Sequence, residues 1–196
     1  MKYDFDSPVK RRGTNCLKWD GSGDADVIPL WVADMDFAVA PAIQRAVAQR
    51  AAHPVYGYTT VTEDYYRSVQ SWFSRRHQWN IEREDMLYTT GVVPALSCAL
   101  KALTMPGEKV LILTPVYNCF FSSIRNNGCE VLASPLILGE DHSYTVDWHD
   151  FEKKCADEKT TVFVLCNPHN PAGRVWTGDE MERMNAVCLE HGVRVI

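Results

Sequence analysis

The sequence has no long apolar run, no closely spaced cysteine pair and no block of like charge. Residues Met1 to Gly13 mix Asp4 and Asp6 with Lys10, Arg11 and Arg12 and hold no apolar stretch, which reads as neither signal peptide nor membrane anchor. Nowhere does the chain approach the roughly 20 apolar residues that cross a bilayer. A formal net charge of -5 without a long basic segment gives no electrostatic footprint for nucleic acid or an anionic membrane surface. The 7 cysteines are odd in number and never form C-x-x-C, the usage of reduced thiols in a cytosolic core. The 6 histidines show no H-E-x-x-H pairing, so no metal site is expected. No internal repeat or low-complexity segment is visible. These absences leave a cytoplasmic protein with a small-molecule or protein partner.

What is present has the balance of a globular protein: 196 residues, 46% hydrophobic and 23% charged. Ala40 to Ala52 reads as a helix, with Pro41 in the first turn and Ile43, Ala46 and Val47 on one face. Thr60 and Glu63 have capping-box spacing ahead of a second helix reaching about Trp79. Gly21-Ser22-Gly23 reads as a loop between an N-terminal arm and Val27 to Trp31. Strands and helices then alternate. Strands are expected at Met86 to Thr90, Lys109 to Thr114, Glu130 to Ile137 and Thr160 to Cys166. Helices are expected at Val93 to Met105, at Asn118 to Asn127, after Asp147 through Cys155, and from a Thr177/Glu180 capping box to His191-Gly192. Val193 to Ile196 reads as the opening of a further buried strand that breaks off without turn or cap, so the chain reads as truncated. The alternation predicts an α/β fold with a mostly parallel sheet covered on both faces, and such sheets bind ligands beyond the carboxyl ends of their strands.

Three strings fall at those ends. Gly91-Val92-Val93 joins a strand to a helix, where backbone N–H groups can face a phosphate; taken alone, a tight turn needing only a small residue is the simpler reading. Thr114-Pro115-Val116-Tyr117 places a ring past a strand end, able to stack on a planar heteroaromatic ligand or to pack in the core. Cys166-Asn167-Pro168-His169-Asn170-Pro171-Ala172-Gly173 has two Asn-Pro pairs, more than a turn requires. Each proline keeps its asparagine extended, freeing the amide for a ligand. Tyr56-Gly57-Tyr58-Thr59 pairs phenols around a glycine, as a surface turn also would. Two strings are decoys. Ser7-Pro8-Val9-Lys10 spells S-x-x-K within a polar arm, and Gly21 to Asp26 imitates a dinucleotide loop with no strand leading in.

In this order, the three strings resemble fold-type I, pyridoxal 5'-phosphate (PLP)-dependent enzymes of the class I/II aminotransferase superfamily. Trp31-Val32-Ala33-Asp34-Met35-Asp36-Phe37, Tyr56 to Thr59 and Arg174-Val175-Trp176 look most like its MalY/PatB branch, the cystathionine β-lyases or C–S lyases. The resemblance implies that Gly91, Val92 and Val93 hold the cofactor phosphate, that Tyr117 stacks on the pyridine ring and that Asn170 bonds the ring hydroxyl oxygen. It implies a homodimer, with Tyr58 reaching the partner subunit's phosphate, and a substrate pocket bordered by Ala33 and Asp34. Residues 1–60 would form an N-terminal arm and first helix contributing to the small domain and dimer interface, and 61–196 the first part of the PLP-binding large domain.

The implied reaction is β-elimination from an amino-acid thioether or cysteine-type substrate, giving a thiol, pyruvate and ammonia. The Schiff-base lysine, the aspartate facing the pyridine nitrogen and the substrate-gripping arginine are expected beyond Ile196. Residues 1–196 alone are therefore expected to be inactive, with no catalytic residue of their own. An aminotransferase shares the three strings, and only the segments around Asp34 and Trp176 favour the lyase. A non-catalytic binding or regulatory module is the other alternative, opposed by the open apolar strand that such a module would expose.

Overall fold

The computed structural model describes residues 3–21, 23–24 and 26–196, so Ser22 of the expected Gly21–Gly23 loop, and Ala25 of the dinucleotide decoy, lie outside the described residues. The chain divides into two compact units, Met1–Val61 and Thr62–Ile196.

The first unit is mostly irregular, with helices α1 (Leu17–Asp20) and α2 (Pro41–Ala51). Pro41 occupies the first turn of α2, where its missing N–H costs nothing, and Ile43 and Val47 on its expected apolar face are exposed. A polar clasp organises the rest. Arg11 pairs with the carboxylates of Asp34 and Asp36, the latter at 2.6 Å, and also donates to Met35 O at 3.2 Å. Lys18 Nζ donates to Asp34 O and Asp36 Oδ2, both at 2.8 Å, and Trp19 Nε1 to Asp36 Oδ1 at 2.7 Å. Donation from Lys18, Trp19 and Arg11 holds the Asp36 carboxyl far below the usual carboxylate range.

The second unit contains α3 (Glu63–His77), α4 (Val92–Leu103), β1 (Lys109–Thr114), α5 (Asn118–Asn126) and β2 (Glu130–Pro135). It continues with β3 (Ile137–Leu138), β4 (Tyr144–Thr145), α6 (Trp148–Cys155), β5 (Thr160–Val164), α7 (Gly178–Glu190) and β6 (Arg194–Val195). Four strands form a parallel sheet in the order β2-β1-β5-β6, and β3 and β4 make a small antiparallel ribbon. Side chains alternate across the pleat, so each central strand feeds two cores. Val110 and Ile112 of β1, with Val162 and Val164 of β5, pack with Leu96 and Leu100 of α4 and Ile124 of α5. Leu111, Leu113 and Phe163 point the other way, into Phe151, Cys155, Met184, Cys188 and Trp176. Burial of each such side chain contributes about 1.5–3 kcal/mol, and helices on both faces are what keep this sheet dry.

Local signals set several boundaries. Asp147 caps α6 by accepting from Asp150 N at 3.0 Å, and Thr177 with Glu180 completes a reciprocal capping box on α7. Three expectations are corrected. Thr60 does not cap α3: the helix begins at Glu63, which puts that glutamate in the first helical position instead of the third that a capping box needs. Met86 to Thr90 forms no strand and pairs with none among the described residues, and Leu87 is exposed. The expected strand through Ile137 ends at Pro135, which has no N–H to continue a ladder; Ile137 and Leu138 pair with β4 instead. Among the described residues no helix is long and apolar enough to cross a membrane, and no cluster of three His, Cys, Asp or Glu side chains is placed to hold a metal ion.

Candidate functional site

At the carboxyl end of the sheet, the start of α4 and the loops after β1 and β5 enclose a cavity of about 300 Å³. Val92, Tyr117, Phe120, Leu165, Cys166, Asn167, Pro168 and Asn170 line it. Its size lies at the lower bound of ordinary small-molecule sites, about 300–1,000 Å³.

Each wall presents a different chemistry. Gly91 precedes α4 at φ 157° and ψ 171°, a conformation that essentially only glycine takes without strain, and no side chain caps the helix. Pro94 has no N–H, and the N–H groups of Val92 and Val93 have no partner among the described residues. The helix therefore opens with uncompensated donors and the positive end of its dipole, a geometry suited to an anion. Tyr117 is about one-third exposed, and its ring is held edge-on by Phe120 at a centroid distance of 6.0 Å. Hydrogen bonding with the Cys119 thiol raises the Tyr117 phenol above its ordinary value. Asn170 is exposed; its backbone N lies 3.4 Å from Cys166 Sγ, while its side-chain amide has no partner among the described residues.

A rigid frame supports the Asn170 loop. His169 and Arg174 form an antiparallel bridge, with Gly173 at φ 73° closing the turn between them. Trp176, nearly fully buried, donates from Nε1 to Cys166 O at 2.9 Å, and its backbone N donates to Asn167 Oδ1 at 3.2 Å. The Arg174 guanidinium lies 4.2 Å from the Trp176 ring centroid and pairs with Glu180 at 2.6 Å. The two asparagines of the double Asn-Pro string thus part company: Asn167 is spent on the frame, and Asn170 keeps a free amide.

Of the residues singled out in the sequence, Val92, Tyr117 and Asn170 line this cavity, and Gly91 and Val93 flank Val92 at the start of α4 without lining it. Ala33, Asp34 and Tyr58 belong to the first unit; Asp34 is paired with Arg11, and Tyr58 is fully exposed. Sequence reasoning missed Phe120 and Leu165 as lining residues and His169 and Trp176 as supports. A tryptophan ten residues past the strand-end cysteine was the available signal, since a buried indole N–H needs an acceptor and a loop supplies one. A larger cavity, about 520 Å³, lies among Tyr65, Trp79, Tyr88 and their neighbours and touches none of the three ligand-facing segments.

Unpaired donors at a helix start, a ring and a free amide beyond adjacent parallel strands of an α/β sheet are a combination suited to a phosphorylated, planar ligand. Residues 25–196 match the family aminotransferase class I and II, and the chain belongs to that family. Its architecture is that of PLP-dependent fold type I. The chain is 41% identical to cystathionine beta-lyase PatB of Bacillus subtilis (strain 168), over 98% of this chain and 50% of that protein. It is 37% identical to the protein MalY of Escherichia coli (strain K12), over 99% of this chain and 51% of MalY. The crystal structure of cystalysin from Treponema denticola, which contains a pyridoxal 5'-phosphate cofactor, superposes with a TM-score of 0.88 at 36% identity, covering 100% of this chain and 51% of cystalysin. The chain thus spans about half the length of the curated relatives it matches.

Proposed function

We infer that this chain supplies the cofactor-cradling part of a PLP-dependent C–S β-lyase, which splits cystathionine or a related cysteine conjugate into a thiol, pyruvate and ammonia. The convergence of Val92, Tyr117 and Asn170 on one cavity is the observation that carries this reading. The residues present fit the cofactor: the N–H groups at Gly91, Val92 and Val93 receive the phosphate, and the helix dipole favours its charge. Tyr117 stacks against the pyridine ring, and Asn170 donates its amide to the ring hydroxyl oxygen. Bound there, PLP supplies the electron sink for the negative charge left on the substrate's α-carbon when its proton is removed. The chain's own part is to fix the ring's tilt and to keep water from one face of it.

Among the described residues no lysine lines the cavity, so we assign the Schiff-base lysine to sequence outside residues 1–196, which by themselves do not turn over. The substrate role of Ala33 and Asp34, the reach of Tyr58 to a partner subunit's phosphate and homodimerisation rest on the likeness of their strings to the lyase branch, whereas a cytoplasmic location rests on the scattered cysteines, none of them in a C-x-x-C pair. The same likeness carries the assignment of residues 1–60 to a small domain and of 61–196 to the PLP-binding large domain. The test is pyruvate and thiol release from cystathionine by the PLP-loaded full-length protein with no keto-acid acceptor added. Release under those conditions is the expected result. Turnover only when an acceptor is present would make the protein an aminotransferase, and no turnover in either case would leave a binding module.

A further inference from the structure

Two of the cofactor-facing residues sit on separate loops, and one buried side chain ties those loops together. The backbone ladder between β1 and β5 ends at Ile112 and Val164, before either loop begins. Beyond it, among the described residues, the hydrogen bond from His169 Nε2 to Pro115 O, at 2.8 Å, is the one that crosses from the Asn170 loop to the Tyr117 loop. Pro115 O can only accept, so Nε2 carries a proton and donates it there, while the buried Nδ1 has no partner among the described residues. His169 is 1% exposed, and its ring stands edge-on to Trp176 at 5.3 Å and 86°. Its backbone is pinned as well: N donates to Arg174 O at 2.7 Å, and O accepts from Gly173 N at 2.8 Å. The imidazole therefore has one orientation open to it. It leaves one nitrogen unsatisfied to make the bond that spans the loops, a cost that packing alone does not require, since an apolar side chain of that size would avoid it.

We propose that His169 is a positioning residue that sets the spacing between the Tyr117 ring and the Asn170 amide, and so tunes how tightly the site grips PLP. It touches the cofactor itself nowhere; it acts through Pro115, two residues before Tyr117, and through its own neighbour Asn170. The proposal rests on the cofactor reading given above.

The test uses the full-length protein stripped of PLP, with the PLP dissociation constant measured by fluorescence titration for the parent and for His169→Leu, His169→Gln and Phe151→Leu. Leucine fills the space without a donor, whereas the glutamine amide reaches the position of Nε2. Phe151→Leu loosens the same core away from both loops and controls for lost stability. The expected result is PLP binding weakened about tenfold in His169→Leu, the size of one buried hydrogen bond. His169→Gln should stay within about threefold of the parent, and Phe151→Leu should bind as the parent does while melting at lower temperature. If leucine prevents folding, His169→Asn, whose shorter amide falls short of Pro115, carries the same comparison. Parent-like binding by His169→Leu, or equal weakening in His169→Leu and Phe151→Leu, overturns the positioning role and leaves the cofactor site standing. Failure of the parent protein to bind PLP overturns the cofactor reading itself, and this proposal with it.

Discussion

Asn170 and Asn167 show how the same residue type, in the same Asn-Pro context, is left with a free amide in one case and built into the loop's frame in the other. Asn167 is held by Trp176, and Asn170 is left with an amide that nothing else in the described chain uses. Replacing Asn170 with alanine should therefore weaken PLP binding about tenfold with little change in unfolding midpoint, as read by titration and thermal melts. Asn167→Ala should do the reverse in part, lowering the midpoint by removing the anchor of the Trp176 backbone. Charged residues give a second prediction. Burial pushes the Asp150 carboxyl up, but donation from Lys154 and Ser134 outweighs it, so the group lies below its ordinary value. The Lys109 ammonium likewise lowers Asp157. A carboxyl depressed by folding stabilises fully above its unfolded-state pKa, near 4, and that stabilisation is lost as pH falls through the folded-state value. The unfolding midpoint should accordingly fall below about pH 4. Asp150→Asn should be less stable than the parent at pH 7, with the gap narrowing on acidification.

Elements whose signals are local were legible in the sequence, and those whose signals are not were misplaced. The Asp147 cap on α6 and the Thr177/Glu180 box on α7 lie within four residues of the bonds they make, so composition and spacing sufficed. β1 was legible because its apolar run is bounded by Gly107 and Pro115. Met86 to Thr90 has the composition of a strand, but a strand exists only through a partner, which a short window of sequence cannot display. Thr60 and Glu63 have capping-box spacing, yet the helix starts too late to use it. Thr177→Ala should cost about 1 kcal/mol in equilibrium unfolding, whereas Thr60→Ala, which removes no cap, should cost less than about 0.5 kcal/mol. His169 escaped a sequence reading for a related reason: its partner, Pro115, is 54 residues away.

Across the molecule, the sheet order places β1 and β5 side by side, and this adjacency turns two distant sequence strings into opposite walls of one cavity. The helix start at Gly91 adds the third wall from the face packed against Val110, Ile112 and Val162. The strings were readable singly as turn, ring and double Asn-Pro loop; only the topology brings Val92, Tyr117 and Asn170 to one cavity. The central claim is that PLP occupies this cavity in the stated orientation, and the most direct measurement is a crystal structure of the full-length protein with PLP. The account predicts the phosphate within hydrogen-bond distance of the Val92 and Val93 N–H groups, the pyridine ring against Tyr117 and its hydroxyl oxygen at the Asn170 amide. PLP bound elsewhere, or with its phosphate away from the start of α4, would contradict it.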